Sequence, residues 1–287
     1  MQTKTKVLIK NNNKVKRQVG SIAGFIIKIL IGIIIISPLI YGLSVSFMPR
    51  VDVMSNPPKL VPSDPTMRNY QEVSKAIPFF RYLLNTTIVC SIEIICQVFF
   101  CSFAAYSFTF FKFKGKNLIF SLILASMMIP GETTVVSNYL TIQSFRLIDT
   151  YLAIVAPTLV SGMGIFLMRQ YFLTVPKEMK EAATVDGCGH IGFFFRILMP
   201  ISSSSITSLA IYLFVNCYNR FFWPLLVTNS DKMRTIQIGA SFLKNSEDVD
   251  YGVVMAGAIL CLIPSVFVFI FGMKYLVKGM TAGAVKG

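Results

Sequence analysis

Six long apolar runs leave this 287-residue chain few ways to fold: roughly residues 22–47, 83–110, 118–140, 151–172, 200–226 and 253–276. Each reaches the ~20 residues that a helix needs to cross a ~30 Å hydrocarbon core. No water is available there to satisfy loose backbone groups, so runs this apolar and unalternating are expected to be helical. Only 14% of the residues are charged, against about 25% in soluble domains. The expected fold class is an all-α integral membrane protein of six transmembrane helices, resident in the cell membrane. The first run exceeds the roughly 7–15 residues of a signal-peptide core and lacks an A-x-A-like site near its end, so it is expected to stay as helix one.

A net charge of +14 would suit a nucleic-acid binder, but its distribution argues otherwise. With an inside N-terminus, the cytoplasmic segments carry sixteen Lys and Arg against three acids (Glu178, Glu181, Asp186), while the outer loops carry nine against eight. That imbalance follows the positive-inside rule. Both termini are therefore expected in the cytoplasm, and no nucleic-acid partner is expected.

The domain reading follows from the same pattern. Residues 1–20 form a basic cytoplasmic tail, expected without regular structure. Residues 21–276 are expected to form one six-helix transmembrane domain, and 277–287 a small cytoplasmic tail. Between the first two runs an outer segment holds Pro49, Pro57, Pro58, Pro62, Pro65 and Pro78, which disfavours a long regular element. Pro130-Gly131 should break the third run. The six cysteines fall mostly inside apolar runs and show neither disulfide nor zinc spacing. His190 is the single histidine, with no HExxH or Cys/His cluster beside it, so no metal site and no enzymatic chemistry are expected.

Residues 176–200, PKEMKEAATVDGCGHIGFFFRILMP, are a polar, small-residue cassette in this apolar chain. Pro176 suits a helix start, and Glu178 and Glu181 suit a helix N-terminus. Ala182 and Ala183 are small enough for a partner's groove to approach the backbone. Gly187 suits the left-handed turn that ends a helix. The cassette is thus expected to be two short helices joined by a tight turn.

The run Glu181-Ala182-Ala183, with Gly187 four residues on and Ile197-Leu198-Met199-Pro200 after nine more, resembles the EAA motif of ATP-binding-cassette importer permeases. It departs from that pattern only at Met199, where the family usually has Leu. Asp186-Gly187 is similar to the family's frequent Asp-Gly pair. Met128-Ile129-Pro130, Phe166-Leu167-Met168-Arg169-Gln170 and Asn219-Arg220-Phe221-Phe222-Trp223-Pro224-Leu225-Leu226 resemble a carbohydrate-type permease. The ending VKGMTAGAVKG is similar to that of the smaller maltose-type subunit. The likeness covers about residues 80–287.

The resemblance implies a type I importer permease fold with a coupling role for Glu178, Glu181, Ala182, Ala183, Asp186 and Gly187. It also implies a second permease subunit in a heterodimer, an ABC ATPase dimer, an extracellular solute-binding protein and a sugar or oligosaccharide cargo. No G-x-x-x-x-G-K-[ST] loop occurs in the chain, so ATP and Mg would be bound by the partner ATPase, with no cofactor here. Two other readings stay open: glycerol-3-phosphate or another anionic cargo, and a secondary transporter driven by an ion gradient.

Charges within the runs mark candidates for the solute path, because intramembrane charge is costly. Lys28 can snorkel to the inner surface. Glu93 is either an interhelical hydrogen-bond partner or a solute contact. Glu132 follows the Pro130-Gly131 break, where an opened backbone could line a cavity. Arg220 lies twenty residues beyond Pro200, about 30 Å up a continuous helix, so it is expected near the outer surface as a rim residue or an anion contact. Tyr218 and Asn219 supply the aromatic and polar chemistry that sugars use. The serines of 202–205 are expected to back-bond within their helix.

Overall fold

The computed structural model describes residues 2–244 and 249–281, with side chains described over 24–244 and 249–272. Among these residues every regular element is helical. Helix α1 covers Gln2–Ser46, followed by the short α2 (Arg50–Val53), α3 (Arg68–Ala76) and the long α4 (Phe79–Phe110). A 3-10 turn at Gly131–Thr134 separates α5 (Lys116–Ser126) from α6 (Val135–Ser144). Helix α7 (Tyr151–Val155) passes through a second such turn, Ala156–Thr158, to α8 (Gly162–Phe172). Helix α9 is Lys177–Val185; α10 (His190–Gly192), a π-helical turn (Phe193–Leu198) and α11 (Met199–Ile201) then run together. The chain continues as α12 (Ser203–Tyr218), α13 (Phe222–Val227), α14 (Ile236–Phe242) and α15 (Tyr251–Thr281).

Three stretches are long and apolar enough to cross a membrane unbroken: Gly24–Ser46, Phe79–Phe110 and Tyr251–Gly272. Three more do so only as bent pairs, at 90° between α5 and the Gly131–Ser144 segment, 51° before α8, and 76° before α12. Six crossings result if each bent pair is one span. The first bend lies at the expected Pro130-Gly131 break. The second follows Pro157, and Ser161 restarts the helix by accepting the Gly164 N–H at 3.0 Å, an N-cap bond. At the third, the Ser202 hydroxyl donates to the Leu198 carbonyl at 2.6 Å, a back-bond of the kind that bends helices. The 200–226 run is therefore not one helix: it bends at Ser202 and opens again at residues 219–221.

The basic tail also departs from expectation, because α1 is helical from Gln2 onward. Once the apolar part is wound, each further residue needs only one more bond, and neither proline nor a β-branched cluster stops propagation through the Lys/Asn-rich tail. At the other end α15 runs to Thr281; the rest of the expected C-terminal tail, 282–287, lies outside the described residues.

The chain divides into two units, Met1–Glu72 with Asp250–Ile259, and Val73–Val249 with Leu260–Gly287. In the first, the apolar side chains of α1 from Phe25 to Leu43 are largely exposed, which suits contact with lipid. The proline-rich segment after α1 closes its end, where final carbonyls lack helical partners. The Asn69 amide donates to the carbonyls of Ser46 and Met48, both at 2.9 Å. Buried Asp52 accepts Lys59 Nζ at 2.6 Å and the Ser63 N–H at 2.7 Å.

Those partners hold the Asp52 carboxyl below its ordinary pKa. A carboxylate depressed on folding stabilises above its unfolded pKa of about 3.9 and loses that contribution as pH falls through the folded value. Proteolysis of this proline-rich segment in the purified protein is thus expected to stay slow down to about pH 4 and to accelerate below it. Asp52→Asn should be cleaved faster at neutral pH, with the acid-dependent rise flattened; a wild-type rise beginning near pH 6 would point to another group.

In the second unit α4 packs chiefly against α8 and α12. An apolar core joins Tyr106, Met168, Phe172, Phe193, Phe194 and Leu209 from these elements and the cassette.

Candidate functional site

The cassette folds as two helical pieces joined by a tight turn. Pro176 stands one residue before α9 in extended backbone, and Glu178 lies in the first turn. Glu181 falls in the second turn, beyond most of the dipole's reach, so its charge is presented outward and does little for the helix start. At the other end Gly187 has φ +78°. The Cys188 N–H reaches the Ala183 carbonyl at 2.8 Å and the Gly187 N–H reaches Thr184 at 3.0 Å. This pair of bonds is a Schellman cap, with Asp186 as its C-cap residue.

The two alanines separate by direction. Ala182 is exposed, whereas Ala183 is 6% exposed and belongs to the apolar core. Ala183 therefore packs inside its own chain, and of the two alanines only Ala182 faces outward. Lys180 fixes the same helix: its Nζ donates to the Phe110 carbonyl at 3.3 Å and stands 4.8 Å from the Phe111 ring centroid. Partial burial lowers the Lys180 pKa from the ordinary lysine value. The second half of the cassette is held by rings, with Phe103–Phe194 centroids 4.3 Å and Phe110–Phe193 5.6 Å apart. Beside this anchored side, Val185 and Ile191 are 88% and 72% exposed, giving an outward apolar face.

A second locus lies where helices break. A cavity of about 390 Å³ is lined by Glu132, Asn138, Thr158, Arg220 and Trp223, among others. Its walls come from the 3-10 turn after Pro130, the turn before α8 and the open residues before α13, so three interruptions supply it. Arg220 meets Glu93 through both terminal nitrogens, Nη1 to Oε2 at 2.8 Å and Nη2 to Oε1 at 2.9 Å. Nη1 also lies 3.3 Å from the Thr158 hydroxyl. Gln97, one turn along α4, donates to Glu93 Oε1 at 3.0 Å and to the Thr158 carbonyl at 2.6 Å. The Glu93 side chain is 2% exposed and that of Arg220 21%. A two-pronged guanidinium–carboxylate pair combines charge with fixed geometry, and here it ties the break in the chain to α4.

Arg220 and Glu132 thus line one cavity, with Glu132 exposed. Glu93 lies behind the wall as the partner of Arg220. Through Glu93, Arg220 is level with the middle of α4; the height expected from Pro200 requires one continuous helix, and the chain bends at Ser202. Tyr218 is buried away from the cavity lining and donates to the Cys261 carbonyl at 2.8 Å. Exposed Asn219 bonds back to the Val215 carbonyl at 2.9 Å. Trp223 is held by the carbonyls of Ala153 and Ile154, each at 3.1 Å. Sequence reasoning missed Lys180, Gln97 and Thr158. Gln97 was findable: it is polar, within an apolar run, and four residues from Glu93 on the same helix face. Among the described residues no three His, Cys, Asp or Glu side chains gather as a metal site would require.

Residues 97–282 match the family model described as binding-protein-dependent transport system inner membrane component. The chain is 32% identical over 278 residues to an arabinooligosaccharides transport system permease protein of Halalkalibacterium halodurans, covering 95% of this chain and all of that protein. It is also 32% identical over 274 residues to an sn-glycerol-3-phosphate transport system permease protein of Rhizobium meliloti, covering 92% and 97%. Its fold matches a chain in the crystal structure of a bacterial ABC transporter involved in import of the acidic polysaccharide alginate, with a TM-score of 0.81, 18% identity, and coverage of 90% and 96%.

Proposed function

This chain belongs to the family of binding-protein-dependent transport system inner membrane components, and from that premise we propose that it forms half of the translocation path for a sugar or oligosaccharide. It is a membrane permease subunit of an ABC importer, not an enzyme in its own right. A second permease subunit completes the path, an ABC ATPase dimer binds ATP and Mg, and an extracellular binding protein delivers the solute. ATPase closure pushes the cassette, the spans rock, and the cavity beside Arg220 changes access. The observation that carries this reading is the cassette's construction. One side is pinned, by Lys180 to the end of α4 and by Ala183 to the apolar core, while Glu181, Ala182 and Val185 are turned outward. An oligosaccharide cargo is supported by the arabinooligosaccharides relative, and the cavity's mixture of hydroxyl, amide and ring groups suits such a solute.

The test is co-purification and uptake. The chain expressed with its partners should retain an ATPase, and uptake of the binding protein's ligand should require ATP. Uptake surviving without any ATPase would favour the ion-gradient transporter instead.

The proposed orientation puts both termini inside with six crossings, in keeping with the charge distribution. In a cysteine-free background, a cysteine at Ser63 should label from outside intact cells with an impermeant reagent, and one at Asn12 should not. External labelling at Asn12 would reverse the orientation.

A further inference from the structure

We propose that Glu93 sets the charge selectivity of the path, cancelling Arg220 so that the cavity admits an uncharged solute and disfavours an anion. This rests on the permease reading above, and it chooses between cargo classes that the relatives leave open. To hold a phosphate or carboxylate, arginine must offer its planar fork. Both terminal nitrogens of Arg220 already bond to Glu93, and Nη1 also reaches Thr158. An anion would have to break that pair in a wall where Glu93 is otherwise buried, and it would meet Glu132 on the same cavity. Two carboxylates against one guanidinium leave the locus negative on balance. What remains is the amide of Asn138, whose nitrogen lies 3.5 Å from the Thr134 hydroxyl and whose oxygen is open, with the rings of Phe222 and Trp223, groups that recognise an uncharged polar solute by hydrogen bonding and flat apolar contact.

The asymmetry of exposure makes Glu93, rather than Arg220, the residue to change. Glu93→Gln retains the shape and an acceptor, and it leaves the guanidinium opening onto the cavity. Trp223 is the chain's single tryptophan and lines that cavity, so its fluorescence reports which quenchers arrive. The experiment uses the full chain in nanodiscs of zwitterionic lipid at fixed ionic strength, with iodide, caesium and acrylamide as anionic, cationic and neutral probes. In the wild type, with each constant taken relative to free N-acetyltryptophanamide, caesium and acrylamide should quench better than iodide. Glu93→Gln should raise the iodide quenching constant about threefold or more, with acrylamide unchanged as the check on folding. Adding Arg220→Gln to that variant should return iodide quenching to the wild-type level.

A wild-type iodide constant as high as the caesium constant, each taken relative to free N-acetyltryptophanamide, would overturn the proposal. So would an unchanged iodide constant in a folded Glu93→Gln. If that variant does not insert, the wild-type comparison of iodide with caesium decides alone. No uptake is read here, so failure leaves the permease reading standing, while uptake independent of the ATPase would remove that reading whatever the quenching shows.

Discussion

Valine at Gly187 is expected to abolish ATP-driven uptake while the chain still reaches the membrane in normal amount. Gly187 holds φ +78°, and a Cβ built there would meet nothing within 4 Å. The penalty is therefore backbone strain and not a clash. Left-handed backbone costs an L-residue about 1–2 kcal/mol, more for a β-branched one, and two capping bonds of about 1 kcal/mol each depend on it. A loss of about 2–3 kcal/mol in the cap amounts to a 30-fold or greater shift away from the folded turn. Asparagine tolerates this conformation, so Gly187→Asn should retain most of the uptake that Gly187→Val loses. Full uptake by the valine variant with the ATPase attached would show that the turn is not part of the coupling element. The alanines should divide in the same assay. Ala182→Leu should release the ATPase without loosening the loop, whereas Ala183→Leu should overpack the core by about 1–3 kcal/mol.

Arg220→Leu is expected to be the most damaging single change in the membrane region. It strands Glu93, whose side chain is 2% exposed, and breaking a buried pair by removing one partner costs about 3–5 kcal/mol. Abundance and detergent unfolding temperature should both fall sharply. Glu93→Leu with Arg220→Leu removes both charges and should recover much of the stability, since a buried ion pair adds little over an apolar replacement of similar volume. If the double variant were no more stable than Arg220→Leu, the damage would come from the break at residues 219–221 and not from the stranded carboxylate.

Much of this was readable before any coordinates. Run length alone marked the long apolar helices, Pro130-Gly131 marked a break, and the spacing from Glu181 to Gly187 marked a capped helix with positive φ. The bends before α8 and α12 were not read, although Pro157 and the serines 202–205 stand at them, because the apolar stretches on either side count as continuous spans. The direction of Ala183 was hidden for a different reason: a small residue reads the same whether it faces a partner or its own core. The Glu93–Arg220 pair joins residues 127 apart, and only the folded packing of α4 against the open chain before α13 brings them together. Each had been singled out alone as a costly intramembrane charge; what could not be read was that each was the other's answer.

Helix α4 contains neither proline nor glycine in its 32 residues, so it is a stiff rod about 48 Å long. Lys180 clamps the cassette at its Phe110 end, and Glu93 grips the open chain about 25 Å further along. A rod with no joint between two grips transmits displacement rather than absorbing it. A push on the cassette would therefore arrive at the Arg220 wall as a translation or a twist of similar size, with timing set by mechanics and not by diffusion of a signal. A proline inserted between the grips, at Val98 for example, would act as a clutch: both ends could remain intact while motion at one no longer moved the other.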